Sequence, residues 1–404
     1  MSGSAERGRS RIEWAAAHMP LLNKIRPEFQ ADRPFAGKRI AMSIHLEAKT
    51  ACLALLLRDG GAAVAVTGSN PLSTQDDIVA ALGSQDGITP YARHGVSEAE
   101  YTEHLRETLA FRPHLILDDG GDLIQLLLQQ PQPDVLGGCE ETTTGVGRLR
   151  ILERDGRLPC PMFAVNDAKL KTYFDNRYGT GQSTWDAIMR STNLLVAGKQ
   201  ALVVGYGWCG RGIALRARGL GARVSVSEVD PVRALEARMD GFFVAPVAEA
   251  IADADFVITA TGCVDAVPEP ALWNAKDGVL LANAGHFNVE IRPQTLARMA
   301  TSHRAARAGI EEYRLPDGRR IHLLGEGRLV NLVLGDGHPV EIMDLSFAVQ
   351  ALTLQYLVRH GPLPTKVHAV PPEIDDRVAR MKLETLGISI DTLSVEQRSY
   401  LGRP

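Results

Sequence analysis

Short apolar segments alternate with amphipathic segments along most of the chain. "RIAMSI" at 39–44 is typical of a buried strand, "KTACLALLLRDGG" at 49–61 has helical periodicity and ends in a glycine pair, and "AAVAVTG" at 62–68 is again apolar. The same order returns in "KQALVVGYGWCGRGIALRARGLGARVSVSEVD" at 199–230, followed by the apolar runs "DFVITATG" and "GVLLANAG". This alternation predicts parallel sheets covered by helices, the doubly wound α/β class.

The two units lie far apart in the chain and have different loops, which favours two separate sheets. We therefore predict two α/β domains, the second beginning near Gly181. The last third of the chain contains the helical pattern "DLSFAVQALTLQYLVRHG", a Pro-rich turn and a short tail with both acidic and basic residues.

Composition excludes several classes of protein. The net charge of -4 gives no electrostatic reason to expect nucleic acid or a membrane surface as a partner. No run approaches the roughly 18 apolar residues of a membrane span, and "MSGSAERGRSR" lacks the apolar region of a secretory signal. The five cysteines have no CxxC spacing, so we expect reduced thiols, no metal and a cytoplasmic setting.

A dinucleotide motif opens the second unit. "LVVGYGWCGRG" places Gly205, Gly207 and Gly210 in G-x-G-x-x-G spacing between a strand and a helix, whose N-terminal N–H groups can bind a pyrophosphate. Glu228 follows the next strand, near the expected spacing, and can accept hydrogen bonds from a ribose. The motif predicts NAD as cofactor in preference to NADP. A glycine-rich turn without a ligand is the alternative.

Three ionisable residues alternate where the first strand ends. His45, Glu47 and Lys49 lie at the carboxyl end of "RIAMSI", the edge at which open α/β sheets bind ligands. They are either a hydrogen-bonding template for a polar ligand or a charged surface rim.

Six further motifs extend this picture. They are "LDDGGDL" at 117–123, "CEETTTGVGRL" at 139–149, "VNDAKLKTYFDNRYGTGQS" at 165–183, "NAGHFNVEI" at 283–291, "GEGRLVNL" at 325–332 and "GHPVEIMDLSF" at 337–347. In this order they resemble the S-adenosyl-homocysteine hydrolase family, from about residue 36 to the end of the chain. The resemblance implies a substrate-binding domain over 1–180 completed by about 340–372, a Rossmann NAD-binding domain over 181–339, and a small C-terminal oligomerisation segment over 373–404.

In that family NAD is a bound catalyst that is regenerated in each turnover. It oxidises the ribose 3′-hydroxyl, which makes the C4′ proton acidic enough to remove; homocysteine leaves, water adds, and the ketone is reduced. The resemblance gives catalytic roles to His45, Asp119, Glu141, Lys171, Asp175 and His286. Lys171 assists removal of the 3′-hydroxyl proton, and we expect the nicotinamide cation to lower the pKa of Lys171.

The resemblance also assigns binding residues. Cofactor contacts are expected from Thr142, Thr143, Thr144, Asn176, Asn283 and Asn331, in addition to Gly205, Gly207, Gly210 and Glu228. Substrate contacts are expected from Glu47, Lys49, Thr50, His338, Met343 and Phe347.

Each assignment has a simpler alternative. Asp119 could be the solvated end of a strand, and Lys171 with Asp175 a surface ion pair at i,i+4. The threonine run could be a cluster of helix N-caps. His338 could be structural, and Met343 and Phe347 ordinary core residues.

The His45-x-Glu47-x-Lys49 stretch differs from the His-x-Thr-x-Gln/Glu of adenosyl-specific members and resembles a shorter archaeal-type subgroup. A carboxylate accepts from hypoxanthine N1–H and an ammonium donates to O6, whereas adenine presents the opposite pattern. We therefore favour S-inosyl-L-homocysteine as substrate. S-adenosyl-L-homocysteine as main substrate, a nucleoside 3′-oxidase or epimerase, a non-catalytic relative, and a Glu47–Lys49 ion pair without base contact remain alternatives.

Two more departures concern the cofactor site and assembly. Thr180 stands where many members have Cys, so we expect no reactive thiol there. The ending "SYLGRP" lacks the Lys- and Tyr-bearing tail that in longer members contacts the NAD of a neighbouring subunit. A homotetramer or dimer is expected from the family.

Overall fold

Two open α/β sheets form the protein, as a computed structural model that describes residues 3–402 shows. The predicted domains begin at residue 1 and end at 404, so their outermost two residues at each end lie outside the described residues. The strands are β1 Arg39–Ser43, β2 Ala63–Thr67, β3 Ile88–Pro90, β4 Leu115–Asp118, β5 Gly137–Glu140, β6 Met162–Ala164, β7 Gln200–Val204, β8 Arg223–Ser227, β9 Phe243–Val244, β10 Phe256–Thr259, β11 Val279–Asn283, β12 Ser302–Arg307, β13 Ile310–Arg314, β14 Arg320–Leu324 and β15 Val367–Ala369.

Helices surround both sheets. They are α1 Gly3–Ala17, α2 Pro20–Asp32, α3 Ala48–Asp59, α4 Asp76–Leu82, α5 Glu98–Ala110, α6 Asp122–Gln129, α7 Thr143–Arg154, α8 Thr180–Thr192, α9 Trp208–Gly219, α10 Pro231–Met239, α11 Val247–Ala250, α12 Glu269–Leu272, α13 Pro293–Met299, α14 Val330–Val333, α15 Val340–His360, α16 Pro372–Thr385 and α17 Val395–Tyr400. A π-helical segment spans Lys171–Gly179, and 3₁₀ turns span Val165–Asp167 and Gly325–Gly327.

The first sheet has the strand order β15-β6-β5-β4-β1-β2-β3, and all its pairs are parallel. Alternate residues of one strand enter different cores. Ile40 and Met42 pack with α3 and α15, whereas Ala41 packs with α5 and α6 on the other face. Burial of both faces explains why its central strands read as continuous apolar runs.

The second sheet has the order β12-β13-β14-β11-β10-β7-β8-β9. Its strands β7 to β11 and β14 are parallel, and β13 runs antiparallel between β12 and β14. The residues of β7 again divide between two cores, with Val203 on one face and Leu202 on the other. The predicted doubly wound α/β class is confirmed.

The chain passes between the sheets twice. It leaves the first sheet through the π-helical segment into α8, whose Trp185 is buried in the core of the second sheet. It returns through residues 335–339 into α15, which begins at Val340 and contributes Leu345 and Phe347 to the first core. The π-helical segment packs against both α9 and α15. This arrangement places the π-helical segment at the junction of the two halves.

Candidate active site

One large cavity opens between the carboxyl ends of the two sets of parallel strands. Its volume is about 1660 Å³, larger than the roughly 300–1,000 Å³ of ordinary ligand pockets. The residues that follow strands β1, β4, β5, β7, β8 and β11 contribute to its lining. All the predicted site residues line it except Gly210 and Asn283. The cavity can therefore hold a dinucleotide and a substrate together.

The π-helical segment builds a buried cluster of charged groups around Lys171. Lys171 Nζ donates to Asp175 Oδ1 and to Asn176 Oδ1, each at 2.9 Å, and lies 3.4 Å from Glu141 Oε1. The wider π-helical turn lets one side chain reach residues both four and five positions later. Lys171, Asp175 and Glu141 are at most 6% exposed. The alternative of a surface ion pair is therefore wrong.

Asp175 is surrounded by donors. Oδ1 also lies 3.0 Å from His338 Nδ1, and Oδ2 accepts from Ser346 Oγ at 2.6 Å. Burial would raise the pKa of Asp175, but Lys171, His338 and Ser346 outweigh burial and lower it. His338 Nε2 lies 3.2 Å from Thr180 Oγ1. His338 thus lines the cavity and also joins α8 to the acid, which unites its two expected roles.

The protein groups around Lys171 raise its pKa. Burial lowers the pKa of Lys171, but the charges of Asp175 and Glu141 outweigh burial and raise it. The expected lowering by the nicotinamide cation concerns the enzyme with NAD bound and stays a prediction. In the protein without bound cofactor, Lys171 is therefore an ammonium.

Glu141 has one oxygen available to a ligand. Gln350 Nε2 donates to Oε2, whereas Oε1 has no hydrogen-bond partner among residues 3–402. Burial raises the pKa of Glu141 to about 7, against the opposing effect of Lys171. A carboxyl that titrates near neutrality can accept or donate a hydrogen bond to a sugar hydroxyl.

A second buried group lies at the ends of β1, β4 and β11. Asp119 Oδ2 accepts from Ser69 Oγ at 2.8 Å and lies 3.4 Å from His45 Nε2, and Asp119 Oδ1 lies 3.8 Å from His286 Nδ1. His45 Nδ1 lies 2.7 Å from Ser73 Oγ. Asp119 is only 3% exposed, so the alternative of a solvated strand end is wrong.

The protonation states within this group differ. Burial lowers the pKa of His45 to about 4, so its imidazole is neutral at pH 7. Burial would raise the pKa of Asp119, but His45, His286 and Ser69 outweigh burial and lower it. The group therefore combines a neutral imidazole with an ionised carboxylate, a combination suited to proton transfer.

The residues of the second sheet fit a dinucleotide. A Cβ on Gly210 would lie 1.8 Å from Gly205 O, so glycine is needed there for helix α9 to approach β7. Gly207 precedes the first turn of α9 and faces the cavity, where the backbone N–H groups can bind phosphate. Asn331 donates to Ser183 Oγ, while its buried Oδ1 has no partner among the described residues. That oxygen can accept from a carboxamide N–H.

Three other cofactor predictions have mixed outcomes. Glu228 lines the cavity and accepts from the backbone N–H groups of Tyr206, Val229 and Asp230. Thr142 is the N-cap of α7, as the capping alternative expected, and also lines the cavity. Asn283 does not line the cavity: its Nδ2 donates to three backbone carbonyls and its Oδ1 accepts from Gly285 N and Thr259 Oγ1. Asn283 shapes the loop that carries His286, and its contact with the cofactor stays a prediction.

Glu47 and Lys49 form an ion pair inside the cavity. Lys49 Nζ lies 3.0 Å from Glu47 Oε2 and donates to Asp336 O at 2.7 Å. Glu47 also caps α3, because its Oε2 accepts from Lys49 N. Thr50 Oγ1 donates to His45 O. Both charged residues are 5% exposed, so the interpretation as a surface rim is wrong.

A thiol lies near the Thr180 hydroxyl. Cys209, on α9, places Sγ 3.6 Å from Thr180 Oγ1, and both residues line the cavity. The dinucleotide motif supplies this thiol from another helix, and burial raises its pKa.

Sequence reasoning missed the residues that orient the predicted ones. These are Ser69, Ser73, Ser183, Ser346 and Gln350. Ser346 and Gln350 had a detectable signal, because they are polar positions one turn apart within the apolar part of α15. The other three lie in loops or on α8 without such a pattern.

A glycine-loop dinucleotide site beside two buried acid–base groups defines an NAD-dependent enzyme with a small polar substrate. Two family models match: S-adenosyl-L-homocysteine hydrolase over residues 2–136, and the NAD binding domain of the same enzyme over 176–337. The chain belongs to the S-adenosyl-L-homocysteine hydrolase family, and NAD is its cofactor.

Curated relatives match over nearly the whole chain. Adenosylhomocysteinase of Thermotoga maritima is 57% identical and adenosylhomocysteinase of Pyrococcus abyssi 53% identical, over 98% of this chain and 98% and 95% of those proteins. S-inosyl-L-homocysteine hydrolase of Methanothermobacter thermautotrophicus is 52% identical over 98% of this chain and 96% of that protein. Identity therefore does not decide between the two substrates.

Proposed function

We propose that the protein hydrolyses the thioether of an S-nucleosidyl-L-homocysteine to a nucleoside and L-homocysteine, with the S-inosyl compound preferred. The half built on the first sheet binds the substrate and the half built on the second binds the cofactor. The observation that carries this proposal is the meeting of the dinucleotide loop and both acid–base groups in one cavity.

Lys171 accepts the proton of the 3′-hydroxyl. Gly205, Gly207, Glu228 and Asn331 would hold NAD, which would supply reversible hydride transfer at the 3′ carbon of the sugar. Asp175 and Asn176 fix the position of Lys171 Nζ through hydrogen bonds of 2.9 Å. The nicotinamide cation of bound NAD would lower the pKa of Lys171 by charge repulsion, which favours the neutral, proton-accepting form of Lys171. Substituting Lys171→Ala should abolish formation of reduced cofactor from added nucleoside.

Asp119 removes the C4′ proton, which is acidic only while the adjacent carbon is a carbonyl. Its pKa is lowered by His45 and His286 against the effect of burial, so Asp119 is ionised and ready to accept. His45 and His286 serve the 5′ carbon, where the thiolate leaves and water adds. The neutral state of His45 suits it to accept a proton from that water.

Glu47 and Lys49 support the preference for hypoxanthine. Both are buried and line the cavity, and a carboxylate beside an ammonium matches N1–H and O6 of that base. Adenine would leave buried polar groups unsatisfied, at about 1–3 kcal/mol for each. The observed ion pair does not itself require a base contact, so substrate comparison is the decisive test.

The test is a thiol-release assay with both substrates, under the same conditions. We expect faster turnover of the S-inosyl compound at low substrate concentration. The double variant Glu47→Thr/Lys49→Gln should shift preference toward the S-adenosyl compound. The variant Arg320→Gln, in an exposed ion pair with Asp277, serves as a control of unchanged preference. Equal rates, or a preference of the unmodified protein for the S-adenosyl compound, would contradict the role given to Glu47 and Lys49.

We also propose self-association, as a homotetramer or dimer. Support comes from exposed apolar side chains in the C-terminal segment, namely Leu386, Ile388, Ile390, Val395 and Leu401. Light scattering after chromatography should report a single oligomer, and Val395→Glu/Leu401→Glu should produce smaller species. A monomeric unmodified protein would contradict this proposal.

The cytoplasm is the proposed location. All five cysteines are free within residues 3–402, as expected of a reducing compartment. Within the same residues, every helix is too short or too polar to cross a membrane. Cell fractionation with an antibody tests the location, and recovery outside the cytoplasmic fraction would contradict it.

A further inference from the structure

Two aromatic rings meet where the π-helical segment approaches the dinucleotide loop. Tyr173 belongs to the π-helical segment, and Trp208 follows Gly207 as the first residue of α9. Their ring centroids are 4.8 Å apart and their planes are inclined by 47°. Both residues line the cavity, and Tyr173 is 43% exposed. The pair therefore stands at the opening of the cavity, beside the expected position of the pyrophosphate.

The Trp208 ring also contacts the guanidinium of Arg211. The Arg211 guanidinium carbon lies 4.8 Å from the Trp208 ring centroid and 5.6 Å from that of Tyr206. Arg211 is in turn paired with Glu236 on α10. These contacts fix the indole relative to the second sheet, so the ring presents a rigid surface to Tyr173.

Backbone packing explains why the two rings can meet. A Cβ on Gly212 would lie 1.8 Å from Arg177 O, so α9 and the π-helical segment are in direct backbone contact. A Cβ on Gly181 would similarly lie 2.6 Å from the Gly212 carbonyl carbon. The Tyr173–Trp208 ring contact lies at the cavity end of this backbone contact and joins the two halves of the protein there.

We propose that Tyr173 and Trp208 act as an aromatic clasp that retains the dinucleotide. This inference rests on the proposed function, because it requires NAD in the cavity. Departure of the cofactor past the glycine loop requires the two rings to separate, so their contact slows dissociation. The chemical class retained is a nicotinamide dinucleotide, and the clasp residues are positioning residues that take no part in proton transfer.

The test measures dissociation of NAD from the holoenzyme, with released cofactor captured by an excess of a second dehydrogenase. We expect Trp208→Ala and Tyr173→Ala each to raise the dissociation rate about tenfold. The double variant should add less than threefold to either, because both remove the same contact. Trp208→Phe keeps an aromatic ring at this position and should stay within threefold of the unmodified protein. Trp14→Ala, at an exposed tryptophan on α1, should have no effect.

The outcomes separate this inference from the proposed function. Unchanged dissociation in both single alanine variants, with NAD bound, overturns the clasp and leaves the proposed function intact. Failure of the unmodified protein to bind NAD defeats both. Because Tyr173 is exposed, Tyr173→Ala leaves the core packing untouched and keeps the test valid if Trp208→Ala does not fold.

Discussion

Replacing Asp175 by Asn tests the electrostatics of the Lys171 cluster most sharply. The amide has nearly the same shape as the carboxylate, so the variant removes a charge 2.9 Å from Lys171 Nζ with little change in packing. At an effective dielectric constant of about 20, a pair of unit charges at this separation is stabilised by about 4–6 kcal/mol. That energy corresponds to about 3–4 pKa units. Retained hydrogen bonding and the charge of Glu141 reduce the effect, and we expect the pKa of Lys171 to fall by about 2 units or more.

The direction of the kinetic change follows from the role of Lys171. Loss of the anion disfavours the ammonium, so the neutral, proton-accepting form of Lys171 is populated at lower pH. The rising limb of the pH profile for hydride transfer should therefore move to lower pH. The assay is single-turnover formation of reduced nicotinamide when holoenzyme is mixed with nucleoside across a pH series.

A matched control isolates the charge. Asp277→Asn removes a carboxylate that pairs with Arg320 at 2.8 Å on the surface, and it should leave the limb in place. A limb that stays fixed in Asp175→Asn, even with a lower rate, would refute the electrostatic reasoning and reduce Asp175 to a positioning residue.

Three further predictions follow from the geometry. Gly210→Ala should abolish copurification of NAD, because the added Cβ would lie 1.8 Å from Gly205 O. The control Gly219→Ala, on the same helix, meets no described atom within 4 Å and should retain NAD. Equal NAD content in the two variants would contradict the role of Gly210. Burial lowers the pKa of His45 to about 4, so the unfolded protein takes up a proton on His45 that the folded protein does not, and the free energy of unfolding should fall by about 2–3 kcal/mol as the pH falls from about 6.5 toward 4. His45→Gln should flatten that part of the profile of unfolding free energy against pH. An unchanged profile would contradict this prediction. Activity should survive dialysis against a chelator. Loss of activity that Zn²⁺ restores would contradict this prediction and would point to an ion held by His45, Asp119 and His286, whose ligand atoms lie within 4.8 Å of one another.

The fold was predictable from the sequence because its sheets are buried on both faces. Such strands produce continuous apolar runs, and "RIAMSI" and "ALVV" lie where β1 and β7 form. Helices α1 and α2 were not predicted, since their apolar positions alternate with charges and one helix contains Pro27. Their burial depends on contacts with α3, α4 and α15, which no local pattern reveals.

The site was predictable in its residues and less so in its electrostatics. Motif resemblance identified Lys171, Asp175 and Glu141, but the raised pKa of Lys171 depends on their mutual distances in the fold. The location of a thiol at Cys209, next to Thr180, likewise depends on the contact between α8 and α9. Local sequence patterns do not reveal the distances between side chains from distant segments of the chain, and both features depend on such distances.

The central claim is that a sugar carbon is oxidised temporarily so that its neighbour can lose a proton. Turnover of S-inosyl-L-homocysteine in D₂O, followed by mass spectrometry of the nucleoside and a thiol assay, tests this claim directly. We predict release of homocysteine together with a nucleoside that carries deuterium at C4′. Release of the thiol with only hydrogen at C4′ would contradict the account.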